Sequence, residues 1–565
     1  YPGDKFQIRH QLFTRTQPVN TAAYTRIREY LDWYFVPLRL INKNLPQALM
    51  NMQDNPVQAS GISANKIITN DIPYFVLSGS TTSLANLLTV MYGSKKDGSA
   101  AVLNFFGFNT AALSAKLLMM LRYGNFVSDF VDANLYGNSF GLSSDPNFSL
   151  RAYNSSYALN ILPLAAYQKI YADHFRFSQW EKNEPYTYNF DWYSGGNIFA
   201  SIGLNQVREY IEKNNLLTLR YANWPKDLFM GVMPNSQLGD VSVVDVLPTS
   251  SASPNLIGDV VGVTVDNVNA TGLIAMNGTT EPGVFNMRPA RTPQTDAVLR
   301  AVISNPSLQA SFSVLQLRMA EAVQRYREVS QVADQTARDQ IYAHFGVTLS
   351  PALSDTCFRI GGSASNIDIS EVVNTFLGPD TETEANIKGK GVGTGQGGTS
   401  FSSDEYGILM AIYHVVPLLD YVITGQPQEL LYTNTADLPF PEFDSIGMQS
   451  LHFGRFFNYK TAAFTSDPTG SVMGYVPRFI DLKTDYDEVY GAFRSTLKSW
   501  VAPLDPTYLS KWVSSTILPG ESTPVYSLNY GFFKVNPSVL DSIFRLKADS
   551  SMDTDQFLSS LYLDV

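Results

Sequence analysis

Tyr30-Leu31-Asp32-Trp33-Tyr34-Phe35-Val36-Pro37-Leu38-Arg39-Leu40-Ile41 (YLDWYFVPLRLI) crowds aromatic and aliphatic residues into one run. Such side chains suit a pleated, half-buried surface, so the run is expected to be extended. Pro37 has no amide to donate to a ladder, and the strand should end or reach an edge there. Upstream, Lys5 to Phe13 reads as a second strand. Strands return after Tyr406, over Gly407 to Leu419, Ser450 to Tyr459 and Glu488 to Arg494. No repeat of 20 to 50 residues interrupts this pattern, which disfavours a solenoid or propeller. The fold class expected is mainly β with helical insertions.

Three helices are expected among the strands. Leu113 to Tyr123 places Leu113, Leu117 and Leu121 on one face. Ile161 to Trp180 starts beside Pro163, whose missing donor costs nothing in a first turn. Its stripe is Leu164, Tyr167, Ile170, Tyr171 and His174, with His174 read as a satisfied boundary histidine. The strongest signal is a long amphipathic helix over 311–345, with Leu315, Met319, Ala322, Tyr326, Val329 and Ala333 at steps of four and three. Ser311 or Ser313 is placed to cap it, Glu321 and Arg325 form an i, i+4 pair, and Gly346 is free to take the left-handed cap. The apolar stripe is expected to be core. Two segments differ in character. Gly239 to Pro289 is rich in Val, Asn, Thr and Gly with turn signals at Asn277-Gly278 and Pro282-Gly283, and reads as a strand-and-turn excursion projecting outward. Residues 379–403, containing KGKGVGTGQGG at 388–398, read as a flexible glycine-rich loop.

With 565 residues, the chain admits either three or four domains or one framework with large excursions. Charged residues are only 16% and aromatics 13% of the total. That balance fits broad surfaces meeting other protein, because interface cores are poor in charge and rich in aromatics; it equally fits any β-rich protein. A net charge of −11 argues against a dedicated polyanion binder. The first 43 residues run the other way, with seven basic residues (Lys5, Arg9, Arg15, Arg26, Arg28, Arg39, Lys43) against Asp4, Glu29 and Asp32. Arg9, Arg15, Arg26 and Arg28 are the candidates for neutralising a DNA backbone, and ordinary sampling of strand surface explains the bias too. Cys357 is the only cysteine, so no intrachain disulfide forms and packing must hold the fold. The longest apolar run, Tyr406 to Leu419, is shorter than the roughly 20 residues of a membrane helix.

Catalytic patterns fail on context. Gly393 to Gly398 matches G-x-G-x-x-G without the strand and helix that a dinucleotide site needs. Gly137-Asn138-Ser139-Phe140-Gly141 matches G-x-S-x-G, but a loop-like continuation replaces the helix of a nucleophile elbow. Gly93 to Gly98 has the glycine spacing of a phosphate loop, with Ser99 where lysine is required. The five histidines (His10, His174, His344, His414, His452) lie far apart, in no zinc-like spacing. No catalytic residue, cofactor or metal is expected.

Ordered segments across nearly the whole chain resemble the major capsid proteins of the Microviridae, in the gokushovirus-like and gut-phage branches. They begin with Tyr1-Pro2-Gly3-Asp4, Arg15-Thr16-Gln17-Pro18 and Asp32 to Leu40, and continue with Leu162 to Tyr171 and Tyr221 to Gly239. Leu315-Gln316-Leu317-Arg318, His344-Phe345-Gly346-Val347, Pro441-Glu442-Phe443, Gly474 to Phe479 and Val489 to Arg494 complete the set. The resemblance implies a viral β jelly roll of two packed antiparallel sheets over 1–565 with long inter-strand insertions. It further implies a T=1 shell of identical subunits around circular single-stranded DNA, with residues 239–289 as an exterior protrusion. The implied partners are further copies of the chain, the packaged DNA, a small DNA-binding phage protein and a bacterial surface receptor. The implied location is the virion, after assembly in the host cytoplasm, and more sequence is expected beyond both ends. A glycan-binding jelly-roll receptor protein is the alternative, and a hydrolase through Ser139 the third.

Overall fold

The structure is a computed structural model. It describes residues 1–15, 26–50, 72–77, 117, 120–123, 157–193, 195–196, 198, 216, 219–240, 247–248, 256–266, 274–278, 285–289, 298–308, 310–311, 314–350, 353–373, 387–421, 425–435, 438–444, 446–456, 471–497, 503–504, 512–516, 525–535 and 562–564. The chain divides into two compact units, Tyr1–Leu238 with Glu328–Val565, and Gly239–Arg327.

The first unit is built on a curled antiparallel sheet. Its strands are β1 (Lys5–Arg15), β2 (Ile27–Pro37), β3 (Phe358–Val373), β4 (Ile387–Ser402), β5 (Gly407–Pro417) and the short β6 (Tyr562–Asp564). The spatial order is β1-β4-β3-β2-β5-β6, so most neighbours are distant in sequence. The fold is mainly β and jelly-roll-like, as expected. β2 ends at Pro37, whose successor donates Leu38 N–H to Tyr406 O at 2.9 Å and turns into the short helix Leu38–Ile41. Among the strands whose burial is described, β2 is the most buried, with eight of its eleven residues buried. Over one face lies helix α1 (Leu162–Ile170), whose Leu164, Ala165, Tyr167 and Ile170 have no exposed surface. They share the core with Tyr34, Val36, Met410, Ile412 and Val416 of β2 and β5.

α1 is shorter than the sequence suggests. After Ile170 the chain widens into a single π turn, Tyr171–Phe175, which carries His174 to the core boundary, where its Nε2–H donates to Cys357 O at 3.0 Å. Burial lowers the pKa of His174. A buried ion cluster ties this turn to Lys534, far along the chain. Glu181 accepts from Tyr171 Oη at 2.7 Å and lies 2.9 Å from Lys534 Nζ, while Arg220 pairs with Glu184 at 3.0 Å. Lys534 and Arg220 both lie against the Tyr171 ring. Two-stranded ribbons surround this frame: Tyr74–Leu77 with Tyr157–Asn160, Met448–His452 with Val472–Pro477, and Val513–Thr516 with Val525–Leu528. Gly491–Arg494, expected as strand, is a 3-10 turn.

The second unit is a set of antiparallel ribbons. Leu256–Asp266 pairs with Val298–Leu308, and Ile274–Gly278 with Phe285–Pro289. Within 239–289 the described residues are mostly strand, and the unit continues to Arg327.

Two further expectations are corrected. The long helix over 311–345 is two helices, α2 (Val314–Val332) and α3 (Ala337–Phe345). Thr336 starts the second, accepting from Asp339 N–H at 3.2 Å and donating its hydroxyl to Asp339, a T-x-x-D cap that ends one helix and opens the next. Gly346 takes the expected left-handed cap at φ 67°. The stripe on α2 is also not core: Leu315, Met319 and Tyr326 are 60–67% exposed. Glu321 and Arg325 form no ion pair. The glycine-rich loop of 379–403 is the second correction, because Ile387–Ser402 is strand β4, hydrogen-bonded between β1 and β3. Residues 379–386, most of the helix expected over 113–123, and Gly137–Gly141 lie outside the described residues.

Candidate functional site

β4 alternates glycine with larger residues, Gly389, Gly391, Gly393, Gly395 and Gly397 against Lys388, Lys390, Val392, Thr394 and Gln396. Successive side chains in a strand point to opposite faces, so one face of β4 carries no side chains along this stretch. Its neighbours fill the space. A Cβ on Gly395 would sit 2.6 Å from Ser365 Oγ, and one on Gly397 2.6 Å from His10 Nε2. Side chains of β1 thereby reach over β4 to β3 and β2.

The contact they make is a polar seam. Glu29, on β2, has no exposed surface. Its carboxylate accepts from Ser365 Oγ at 2.6 Å, from Tyr413 Oη at 2.9 Å and from Thr14 Oγ1, which come from β3, β5 and β1. A buried carboxylate is tolerable when donors of this kind replace its water. One step along, Trp33 Nε1–H donates to His10 Nδ1 at 3.3 Å, which leaves His10 Nε2–H to donate to Ser363 Oγ at 2.6 Å. These polar groups are satisfied by each other inside the sheet, and the seam is a fastening.

The opposite face is open where α1 does not cover it. By register, Lys5, Arg9, Gln11, Phe13 and Arg15 of β1 lie beside Lys390, Thr394 and Gln396 of β4, with Asn366 and Asp368 of β3 and Arg28 of β2 completing the row. The β1 residues and Arg28 are exposed, and Phe13 is 70% exposed. Arg359 projects on this face too but is held by Asp32, at 2.5 Å. Asp368 is then the one unpaired carboxylate on these strands' open face among the described residues. The result is a basic, polar surface in a chain whose net charge is −11.

Of the four arginines singled out in the sequence, the structure brings Arg9, Arg15 and Arg28 onto this one face. Arg26 lies just before β2 and forms an ion pair with Asp487 instead. Sequence reasoning missed Lys390 and Phe13, since Lys390 lay in an apparent loop; the x-G-x-G alternation was the available signal.

Of the motif matches in the sequence, only Gly393 to Gly398 lies among the described residues. Gly393 to Gly398 is ladder, with its amides committed to strand pairing, and offers no phosphate cradle. Among the described residues no group of three or more His, Cys, Asp or Glu is placed to hold a metal. His414 stacks on Tyr30 at 4.9 Å and burial lowers its pKa to about 4, while the buried Cys357 thiol is raised well above its ordinary value. No described helix is long and apolar enough to cross a membrane.

The chain is thus a mainly β protein, a curled jelly-roll-like sheet with a polar seam on one side and an open basic face on the other. The chain matches the family described as "Capsid protein (F protein)" over residues 145–515, and it belongs to that family, the major capsid proteins of the Microviridae. The family is structural and not an enzyme family, and membership implies a shell of like subunits and a place in the virion. No curated protein matches the chain.

Proposed function

We propose that the chain is the repeating subunit of a T=1 icosahedral shell enclosing a circular single-stranded DNA genome, assembled in the cytoplasm of a bacterial host and without bond-making chemistry of its own. The family match over 145–515 carries the shell reading. The open basic face supports the DNA reading. Arg9, Arg15, Arg28 and Lys390 neutralise backbone phosphates without reading bases, and the exposed Phe13 ring offers a stacking platform. In this reading the face points inward, and a small basic phage protein shares the packaged DNA with it. Residues 239–289 serve as an exterior protrusion contributing to receptor attachment.

Co-expression of the full chain with partner phage proteins tests this, followed by sedimentation and nuclease digestion of the product. Closed particles protecting single-stranded DNA are expected. A chain that stays monomeric under every assembly condition, or that appears as a few copies on a particle built from another protein, overturns the shell reading.

A further inference from the structure

Gln426–Ile446 is an arm of the first unit whose described residues bury almost nothing. Leu430 is 71% exposed, and Leu438, Phe440, Phe443 and Ile446 are 47–57% exposed. Two short 3-10 turns, Gln428–Leu431 and Pro441–Phe443, are its only regular structure among the described residues. Fixing a backbone costs about 1–2 kcal/mol per residue, and a segment whose apolar side chains stay in water gains little to offset that. The arm therefore needs a covering surface. It is also one-signed: from 425 to 447 the chain carries Glu429, Asp437, Glu442 and Asp444 and no Lys or Arg. Lys483 pairs with Asp444, whereas Glu429 and Glu442 have no ion-pair partner among the described residues.

A surface of matching chemistry lies on α2. Leu315, Met319, Ala322 and Tyr326 form an exposed apolar stripe, and the only buried residues of the helix are Ser330 and Gln331. At 100° per residue, Arg318 and Arg325 fall together along one edge of that stripe. Both are exposed and unpaired among the described residues.

We propose that the arm of one subunit docks on the α2 stripe of a second copy, its rings covering Leu315, Met319 and Tyr326 and its free carboxylates meeting Arg318 and Arg325. The occupant follows from charge complementarity and from size, since specific interfaces take about 20–30 residues a side and the arm supplies roughly 20. The proposal rests on the shell reading for the presence of a neighbouring copy.

Cys357 is fully buried and is the only cysteine, so introduced thiols report cleanly. Two differently tagged full-length chains, one Phe443→Cys and one Met319→Cys, are mixed and oxidised, both as particles and as concentrated soluble protein. A disulfide-linked heterodimer is expected. Its absence in both samples overturns the docking, as does a chain carrying both thiols that cross-links only within itself. In the second arm, Arg318→Glu with Arg325→Glu is expected to lower particle yield by more than about tenfold, and adding Glu429→Lys with Glu442→Lys to restore it. A folded quadruple variant, matched to the unmutated chain by circular dichroism and thermal unfolding, that still fails to assemble overturns the pairing. If the unmutated chain makes no particles, the shell reading fails, and the cross-link in concentrated solution still decides the docking.

Discussion

Glu29 has lost all contact with solvent, and its hydroxyl donors come from three different strands. Glu29→Leu would strand the Thr14, Ser365 and Tyr413 hydroxyls, at about 1–3 kcal/mol for each that finds no other acceptor. A loss of about 3 kcal/mol or more is expected in urea unfolding of the subunit, with Glu29→Gln in between; a loss under about 0.5 kcal/mol would show that the seam does not fasten the sheet. His414 gives a pH signature. Burial lowers its pKa from 6.5 to about 4, so between those values the unfolded chain takes up a proton that the folded chain refuses. Stability therefore falls as pH drops from about 6.5 towards 4, by roughly 3 kcal/mol from this residue. His414→Phe keeps the stack on Tyr30 and removes that contribution. Unfolding midpoints measured from pH 4 to 7 should show a shallower slope for the variant, the remainder including His174, which burial lowers in the same sense. An unchanged slope would refute the assignment.

At the scale of elements, β4 inverts the usual rule for glycine in strands. β propensity alone says that valine improves a strand position held by glycine. At Gly395 the new side chain would strike Ser365, so Gly395→Val is expected to cost at least about 2 kcal/mol and to loosen β1, read as faster amide exchange over residues 5–15. Thr394→Val, one residue away on the open face, should stay within about 0.5 kcal/mol. The same strand shows where sequence reading stops. β2, its stop at Pro37, β5 and the Gly346 cap follow from local chemistry and were legible. β4 was not, because its face of glycines has no hydrophobic period, and the groups that need that empty space sit more than 350 residues upstream, on His10, Thr14 and Glu29. The α2 stripe was legible as a helix face but misassigned to the core, since periodicity reports which residues share a face and not what covers it. Thr336 and Asp339 were a readable cap inside the expected long helix, and the even spacing of apolar residues masked it. The basic face was half legible: the arginines stood out by composition, while their register beside Lys390 required the sheet.

For the whole molecule, the functional unit is the assembly, and sparse charge is what lets broad surfaces meet. If the open sheet face holds packaged DNA, replacing Arg9, Arg15 and Arg28 together by Gln should leave particle formation intact. The dependence of single-strand binding on log salt should become less steep by about 2, roughly 0.7 for each phosphate contact removed. Equal slopes for the two proteins would place the DNA elsewhere. The order of the sheet also sets a timetable. Lys5 pairs with Ser402 and Arg15 with Val392, so β1 must wait for a partner made nearly 390 residues later. At about 5–20 residues per second that interval is roughly 20–80 s. Through that wait an aromatic-rich N-terminal stretch is translated and unpaired, which makes the nascent subunit a client for holding factors and sets a floor on how fast new shells can be supplied.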